Sequence, residues 1–393
     1  MTLSVFDEKS IYGADYYLAG SKNEFLILED REGRRKHYID CMSAYASVNF
    51  GHCNPDIAPF RELRSDIAAC FYPKEAEQYA QWLLGKLKAP GYELLFQVGG
   101  SMAVSTALSI GQRVREGKIA YLKGSFHGLG LDALAVTSVH KNFALQQTSL
   151  LGELEKHCIE IEPGQTDIPW ETISTFIYEP VQGANGYIPL PAKWLTDTAA
   201  EARRHGVVVV SDEIQCGFYR HGHLSVSCHL GIEADIYLFS KSMTNGLYPF
   251  SAVVYRGSLK ESIPGSLFLA HTFQTSSLGC FAAMAVAEYI DASRPEELCG
   301  EIEALIREHF PFELPLLRDV HLTGPTLSFE VEGVSGKSIV QQCLERGILI
   351  FTGGPAGQRI RFAPPLTIEK TNLVYAIKQL ADVLTHAGAV HTL

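Results

Sequence analysis

The chain has 393 residues, enough for two or three ordinary domains or one large α/β unit with a smaller companion, and enough to bury a core without disulfides. Apolar residues make up 46% and charged residues 20%, with 20 Phe and 17 Tyr, which excludes a disordered chain. The 33 Lys and Arg against 44 Asp and Glu leave a net charge of −11 with no basic stripe, so no nucleic acid is expected as a partner. No apolar run approaches the roughly 20 residues a membrane span needs, so no membrane partner is expected either. Nine cysteines run from Cys41 to Cys343 without a CxxC pair, and Met1–Ser10 carries acidic residues rather than an apolar leader. These features predict a reducing, cytoplasmic setting and a globular enzyme without a disulfide framework.

In chain order, the first chemical signal is Gln97-Val98-Gly99-Gly100-Ser101. An amphipathic helix follows, with Met102, Ala103, Thr106, Ala107, Ile110 and Val114 expected on one face. Strands are predicted at Ile119–Leu122, Thr175–Tyr178, Val207–Val210, Ile236–Phe239 and Ala252–Tyr255, each a short apolar run. Ala192–His205 reads as a helix with Arg203 and Arg204 in its last turn and Gly206 as its stop. Alternating strands and helices imply an α/β fold, a large domain around a mainly parallel central sheet. Beyond about residue 285, helical periods at Met284–Tyr289, Glu301–Glu308, Lys337–Glu345 and Leu373–Thr385 flank strands near Thr326–Val331 and Ile348–Phe351. This texture predicts a smaller α+β domain. The expected division is 1–45 packing with the small domain, 46–285 as the large domain and 286–393 as the small one.

Ligands of parallel sheets sit beyond the carboxyl ends of the strands. Glu179, Asp212 and Lys241 stand at or just after three predicted strand ends. Singly, each reads as a solvated residue closing a strand. Together, Asp212 and Lys241 offer an acid partner and an amine nucleophile to one crevice, and a desolvated lysine gives up its proton more readily. The glycines before the helix at Met102 allow close backbone approach, and a helix N-terminus favours an anion. The turn lacks the spacing of a dinucleotide or P-loop motif. A phosphate, an aldehyde for Lys241 and a ring nitrogen for Asp212 point to pyridoxal 5′-phosphate.

The segments VVVVSDEIQCG (Val207–Gly217), FSKSMTNGLYPFSAV (Phe239–Val253) and EPVQGANGYIP (Glu179–Pro189) resemble the class-III, fold-type-I pyridoxal-phosphate-dependent aminotransferases. YGADYY (Tyr12–Tyr17), SAYASVNFGHCNP (Ser43–Pro55) and RIRFAPPLTI (Arg359–Ile368) extend the likeness over almost the whole chain, nearest to the ornithine aminotransferases. The resemblance implies amino-group transfer through a Lys241 Schiff base, with Asp212 on the ring nitrogen and Gln215 on the ring hydroxyl. It places Phe126 and His127 of the GSFHG segment at the cofactor, Phe126 on the ring face, and Gly100 with Ser101 at its phosphate. It further implies a homodimer with shared active sites, in which Thr272 reaches the partner's phosphate site. Tyr16, Tyr45 and Arg361 match positions that contact substrate, Arg361 binding a carboxylate. The implied reactants are an amino acid or amine and a 2-oxo acid, with no metal.

Three positions depart from the ornithine enzymes. Leu129 stands where an arginine grips a substrate carboxylate, Ala184 where a glutamate pairs with the carboxylate-binding arginine, and Met102 replaces an acidic residue. Arg361 is thus expected to lack that partner, to receive an α-carboxylate permanently, and to direct chemistry to Cα rather than to a distal amine. Neutral drift in an unchanged pocket is the plainer explanation. A second reaction type on the same scaffold stays open: racemase, aminomutase or C–C bond-forming synthase. A non-catalytic binding module and a nicotinamide oxidoreductase are the rivals of other classes. The first is opposed by Lys241, Asp212, Gln215, Phe126 and Thr272 occurring together, the second by the missing dinucleotide motif. His52 reads as a structural loop histidine, and His221, His223, Cys228 and His229 as a solvated loop, since their spacing matches no zinc site. Cys216 is expected to pack, and Glu261, Glu296 and Glu297 to be exposed helix charges.

Overall fold

A computed structural model describes residues 16–58, 66–67, 71–139, 149–262 and 271–390. Within the Tyr12–Tyr17 motif, only Tyr16 and Tyr17 belong to these. Strands β1 (Tyr17–Lys22), β2 (Phe25–Glu29) and β3 (Arg35–Asp40) form an antiparallel meander. Helix α1 (Lys74–Leu87) then leads into β4 (Tyr92–Gln97), and α2 (Gly100–Val114) into β5 (Lys118–Leu122), β6 (Cys158–Ile161) and β7 (Ile173–Tyr178). A hairpin of β8 (Val181–Gln182) and β9 (Ile188–Pro189) precedes α3 (Ala192–Arg204), β10 (Val208–Asp212), β11 (Ile236–Phe239) and β12 (Ser251–Arg256).

The seven-stranded sheet has the order β4-β12-β11-β10-β7-β5-β6. All its strands run one way except β12, which is antiparallel to both neighbours. All five predicted strands are present in it. The expectation missed β4 and β6: β4 lies at the sheet's edge, only half-buried along most of its length, so it lacks the continuous apolar run of a central strand. By contrast, every residue of β7 and β10 is buried. Apolar content gives no strand direction, so the reversal of β12 was not legible.

Helix α3 ends as predicted, with Arg203 and Arg204 in its last turn and Gly206 at φ +71°. Helix α2 buries Ala103, Thr106, Ala107 and Ile110 against the sheet, but Met102 is 40% exposed instead of facing the core.

Helix α4 (Ser277–Ser293) runs unbroken across residue 285 and is followed by α5 (Pro295–His309). Next come β13 (Leu317–Thr323), β14 (Thr326–Val331), α6 (Gly336–Glu345), β15 (Ile348–Leu349), β16 (Phe351–Gly353), β17 (Arg359–Phe362) and α7 (Lys370–Val390). The predicted strand Ile348–Phe351 is in fact two. β15 pairs in parallel with β3 of the N-terminal sheet, whereas β16 joins the antiparallel order β13-β14-β17-β16. Among the described residues no helix is long and apolar enough to cross a membrane.

Candidate active site

The carboxyl ends of β7, β10 and β11 converge on a cavity of about 170 Å3. Its walls include Gly100, Ser101, Phe126, His127, Glu179, Asp212, Gln215, Ser240 and Lys241. Seven of the predicted site residues therefore meet in one place. Glu179, read from sequence only as a strand-end acid, belongs with them.

The turn before α2 needs its glycines. Gly99 has φ +77°, and a Cβ on Gly100 would sit 3.2 Å from the Ile214 side chain. Gly128 packs so closely that a Cβ would meet Ser101 Oγ at 2.4 Å, and Leu129 N–H donates to that hydroxyl at 3.3 Å. The helix N-terminus and the Ser101 hydroxyl thus face the same end of the cavity.

At the other end, Asp212 closes β10. Its carboxylate accepts from Ile214 N–H at 3.0 Å and lies 2.7 Å from His127 Nδ1. His127 Nε2 is buried without a hydrogen-bond partner. Glu179 is buried too, accepting from Phe126 N–H at 2.8 Å and Gly183 N–H at 3.1 Å. Burial, with Asp212 nearby and His127 opposing, pushes its carboxyl up to about 7.

Lys241 opens a 3₁₀ turn with φ +45°, a strained conformation for a side chain with a Cβ. The turn is tied down from both sides. Ser240 Oγ donates to Phe250 O at 2.8 Å, and Ser242 Oγ donates to Ala46 O at 2.6 Å. That second bond reaches another left-handed stretch, Ser43–Ala46, with four consecutive φ values of +50°, +45°, +58° and +65°. Asp40 stabilises its entrance by accepting from Met42 N–H at 2.8 Å and Ser43 N–H at 3.1 Å. Burial lowers the Lys241 amine below the ordinary lysine value, opposed by the charges of Asp212 and Glu179.

Tyr45 sits in the left-handed stretch. Its carbonyl accepts from Gln215 Nε2 at 3.3 Å, and its ring meets Phe351 edge-on at 5.0 Å. Gln215 is crowded against the β8–β9 hairpin: a Cβ on Gly183 would lie 1.6 Å from Gln215 Oε1. Arg361 on β17 is buried, but it is not stranded as the sequence suggested. Its guanidinium donates to Gly183 O at 2.8 Å and Thr352 O at 2.7 Å, and lies 3.7 Å from the Phe351 ring centroid. Backbone carbonyls supply the contacts that a missing Ala184 carboxylate cannot. Ala184 O itself accepts from Gly354 N–H at 2.9 Å, which joins the hairpin to the Arg361 sheet.

Tyr16 and Thr272 are not brought to this cavity within one chain. Tyr16 packs edge-on against Tyr38 at 6.3 Å, beside Leu344 and Leu349. Thr272 is exposed in a 3₁₀ turn. Leu129 is 64% exposed. Of the lesser candidates, His52 is a structural partner of buried Asp40, at 2.7 Å. Cys216 is buried, its thiol pushed well up by burial and by Glu213. His221 is not solvated: it is buried against Thr326 Oγ1 at 2.9 Å and pushed down to about 3 by burial and Arg220.

The cavity suits pyridoxal phosphate: an anion cradle at one end, a carboxylate at the other, and a buried amine and an amide along its length. Known proteins agree. The family described as aminotransferase class-III matches residues 13–384. A probable 4-aminobutyrate aminotransferase of Bacillus subtilis is 28% identical over 398 residues, covering 90% of this chain and 89% of that one. The ornithine aminotransferase of the same organism is 26% identical, covering 98% of each. In structure, the chain is similar to a Toxoplasma gondii ornithine aminotransferase (TM-score 0.83, 20% identity, 95% and 91% of the chains covered). It is also similar to a transaminase from the marine bacterium Virgibacillus (TM-score 0.85, 20% identity, 99% and 97% covered). With an amine and an acid at the strand ends of a fold-type-I sheet and a glycine turn opening a helix beside them, this chain belongs to the class-III aminotransferases and its cofactor is pyridoxal 5′-phosphate.

Proposed function

We propose that the enzyme transfers the α-amino group of an amino acid whose carboxylate is received by Arg361, and that it is a poor ornithine δ-aminotransferase. The observation that carries this reading is at residue 184. A methyl group occupies the hairpin position next to the Arg361 sheet, and the neutral carbonyls of Gly183 and Thr352 help orient the guanidinium.

Pyridoxal phosphate, when bound, supplies an electron sink for the Cα electron pair. The chain's residues do the rest. Lys241 Nζ would hold the cofactor and move the proton at Cα, work worth about 10²–10⁴ in rate, and its burial eases proton release. Asp212, steadied by His127, would accept a hydrogen bond from the ring N–H and favour that protonated form. Gln215 would hold the ring hydroxyl, Phe126 would lie against the ring, and Gly100 with Ser101 would hold the phosphate. Tyr45 shapes the entry beside Arg361. The exposure of Thr272 supports a homodimer in which it serves the partner's cavity. The β3–β15 pairing supports grouping residues 1–45 with 286–393.

Two experiments test this. Borohydride reduction of the holoenzyme followed by peptide mapping should label Lys241. Without an acceptor, α-amino acids should bleach the cofactor absorption in single turnover; with 2-oxoglutarate as acceptor, ornithine turnover like that of an authentic ornithine aminotransferase refutes the substrate reading. Deuterium entering Cα without bleaching indicates the racemase, aminomutase or synthase class instead.

A further inference from the structure

A second cavity, of about 590 Å3, opens at the opposite end of the strands of the large sheet. Tyr92, the first residue of β4, and Tyr237, near the start of β11, both line it. These strands run parallel to each other and deliver Gly100 and Lys241 to the cofactor cavity at their far ends. From Tyr237 to Lys241 the chain advances four residues, roughly 13 Å along an extended strand. The second cavity is therefore separate from the cofactor site. Its volume falls in the range of small-molecule pockets.

The wall chemistry is one-sided. Lys86 and Lys88 come from the end of α1, and His223 and His229 from the loop after β10. The carboxylate on the rim, Glu233, is engaged by Arg203 at 2.6 Å and Arg256 at 3.0 Å. Lys86 is held by Asp291 at 2.7 Å. His223 and His229 stack face to face, their ring centroids 3.5 Å apart and their planes 12° from parallel. Two imidazolium rings at that distance repel, so protonating one disfavours protonating the other. Glu296 from α5 also acts on His223, and the neutral Cys228 thiol lies beside the pair. The remaining floor is apolar or aromatic: Leu224, Ile232, Tyr92 and Tyr237.

We propose that this cavity is a binding site for a small organic anion, a carboxylate or phosphate compound with a compact apolar body, held by Lys88 and the stacked His223–His229 pair. Burial and the stacked neighbouring ring hold His223 below the ordinary histidine value, and an anion beside it opposes both, so binding draws a proton from solution. Phosphate and carboxylate share this chemistry, and the two probes below separate them.

The test is calorimetric titration of the holoenzyme at pH 6.5 with inorganic phosphate and, separately, with citrate, each in two buffers of different ionisation heat. The expected result is saturable binding of at least one probe with net proton uptake. Lys88→Ala and His229→Gln should each weaken it at least tenfold, leaving the cofactor spectrum and the basal turnover number unchanged. No saturable binding of either probe up to 10 mM, or binding that both variants retain in full, overturns the proposal. Because the readout is neither transamination nor substrate choice, its failure leaves the function of the Lys241 cavity untouched.

Discussion

Glu179 accepts a hydrogen bond from the backbone N–H of Phe126 at 2.8 Å, and its other oxygen accepts from Gly183 at 3.1 Å. One buried carboxyl thus ties the loop that carries Phe126 to the hairpin whose Gly183 carbonyl holds Arg361. Glu179→Ala leaves two buried N–H groups unsatisfied, a cost of about 1–3 kcal/mol each. The variant should melt at lower temperature, and its kcat/KM should fall more than cofactor occupancy does.

The same carboxyl has a pH signature in the cofactor-free protein. Burial raises it from the ordinary glutamate value of 4.5 to about 7, so the folded chain holds this proton more tightly than the unfolded one. Stability associated with this group is therefore present below pH 4.5 and lost as pH rises towards 7, by up to about 3 kcal/mol. Glu179→Gln should flatten that decline in denaturant titrations across this interval. Identical slopes for both proteins would show that the carboxyl does not carry the proton.

Asp212→Asn keeps the side chain's shape but removes the charge facing His127 Nδ1 at 2.7 Å. The holoenzyme should still form, and kcat should drop at least about 100-fold because the ring nitrogen loses its anionic partner. His127→Ala should give a smaller loss with a shifted cofactor absorption, since His127 acts through Asp212.

Arg361→Lys retains positive charge but not the planar fork that reaches Gly183 O and Thr352 O. For amino acids, kcat/KM should fall about 10- to 100-fold, the worth of a charge-assisted hydrogen bond. Amines that lack a carboxylate should react as before. Equal losses for both substrate types would remove Arg361 from carboxylate recognition.

Gly183→Ala brings a methyl group within 1.6 Å of where Gln215 Oε1 now lies. Gln215 must swing away, at a cost of about 1–3 kcal/mol. The expected outcome is weaker cofactor retention on dialysis, with Gln215→Ala partly restoring stability in the double variant.

Much of this enzyme was legible as a string of residues. Four-residue apolar runs fixed where the central strands lie, because a strand covered on both faces has no polar side to show. The acid and the amine at their ends were visible for the same reason: parallel strands present their carboxyl ends together. The tertiary structure decided what local pattern cannot encode. The left-handed Ser43–Ala46 stretch contains no glycine; the nearby Asp40 caps its entrance, and Ser242 and Ala363, from distant parts of the chain, hold it in place. Ile348–Phe351 reads as one apolar strand, yet its halves are drawn into different sheets by β3 and β17. Arg361 was expected to lack a partner because side chains were weighed against side chains, whereas backbone carbonyls, present in every sequence, met it. Period and composition report how a segment meets water; which distant segment it meets is settled by packing.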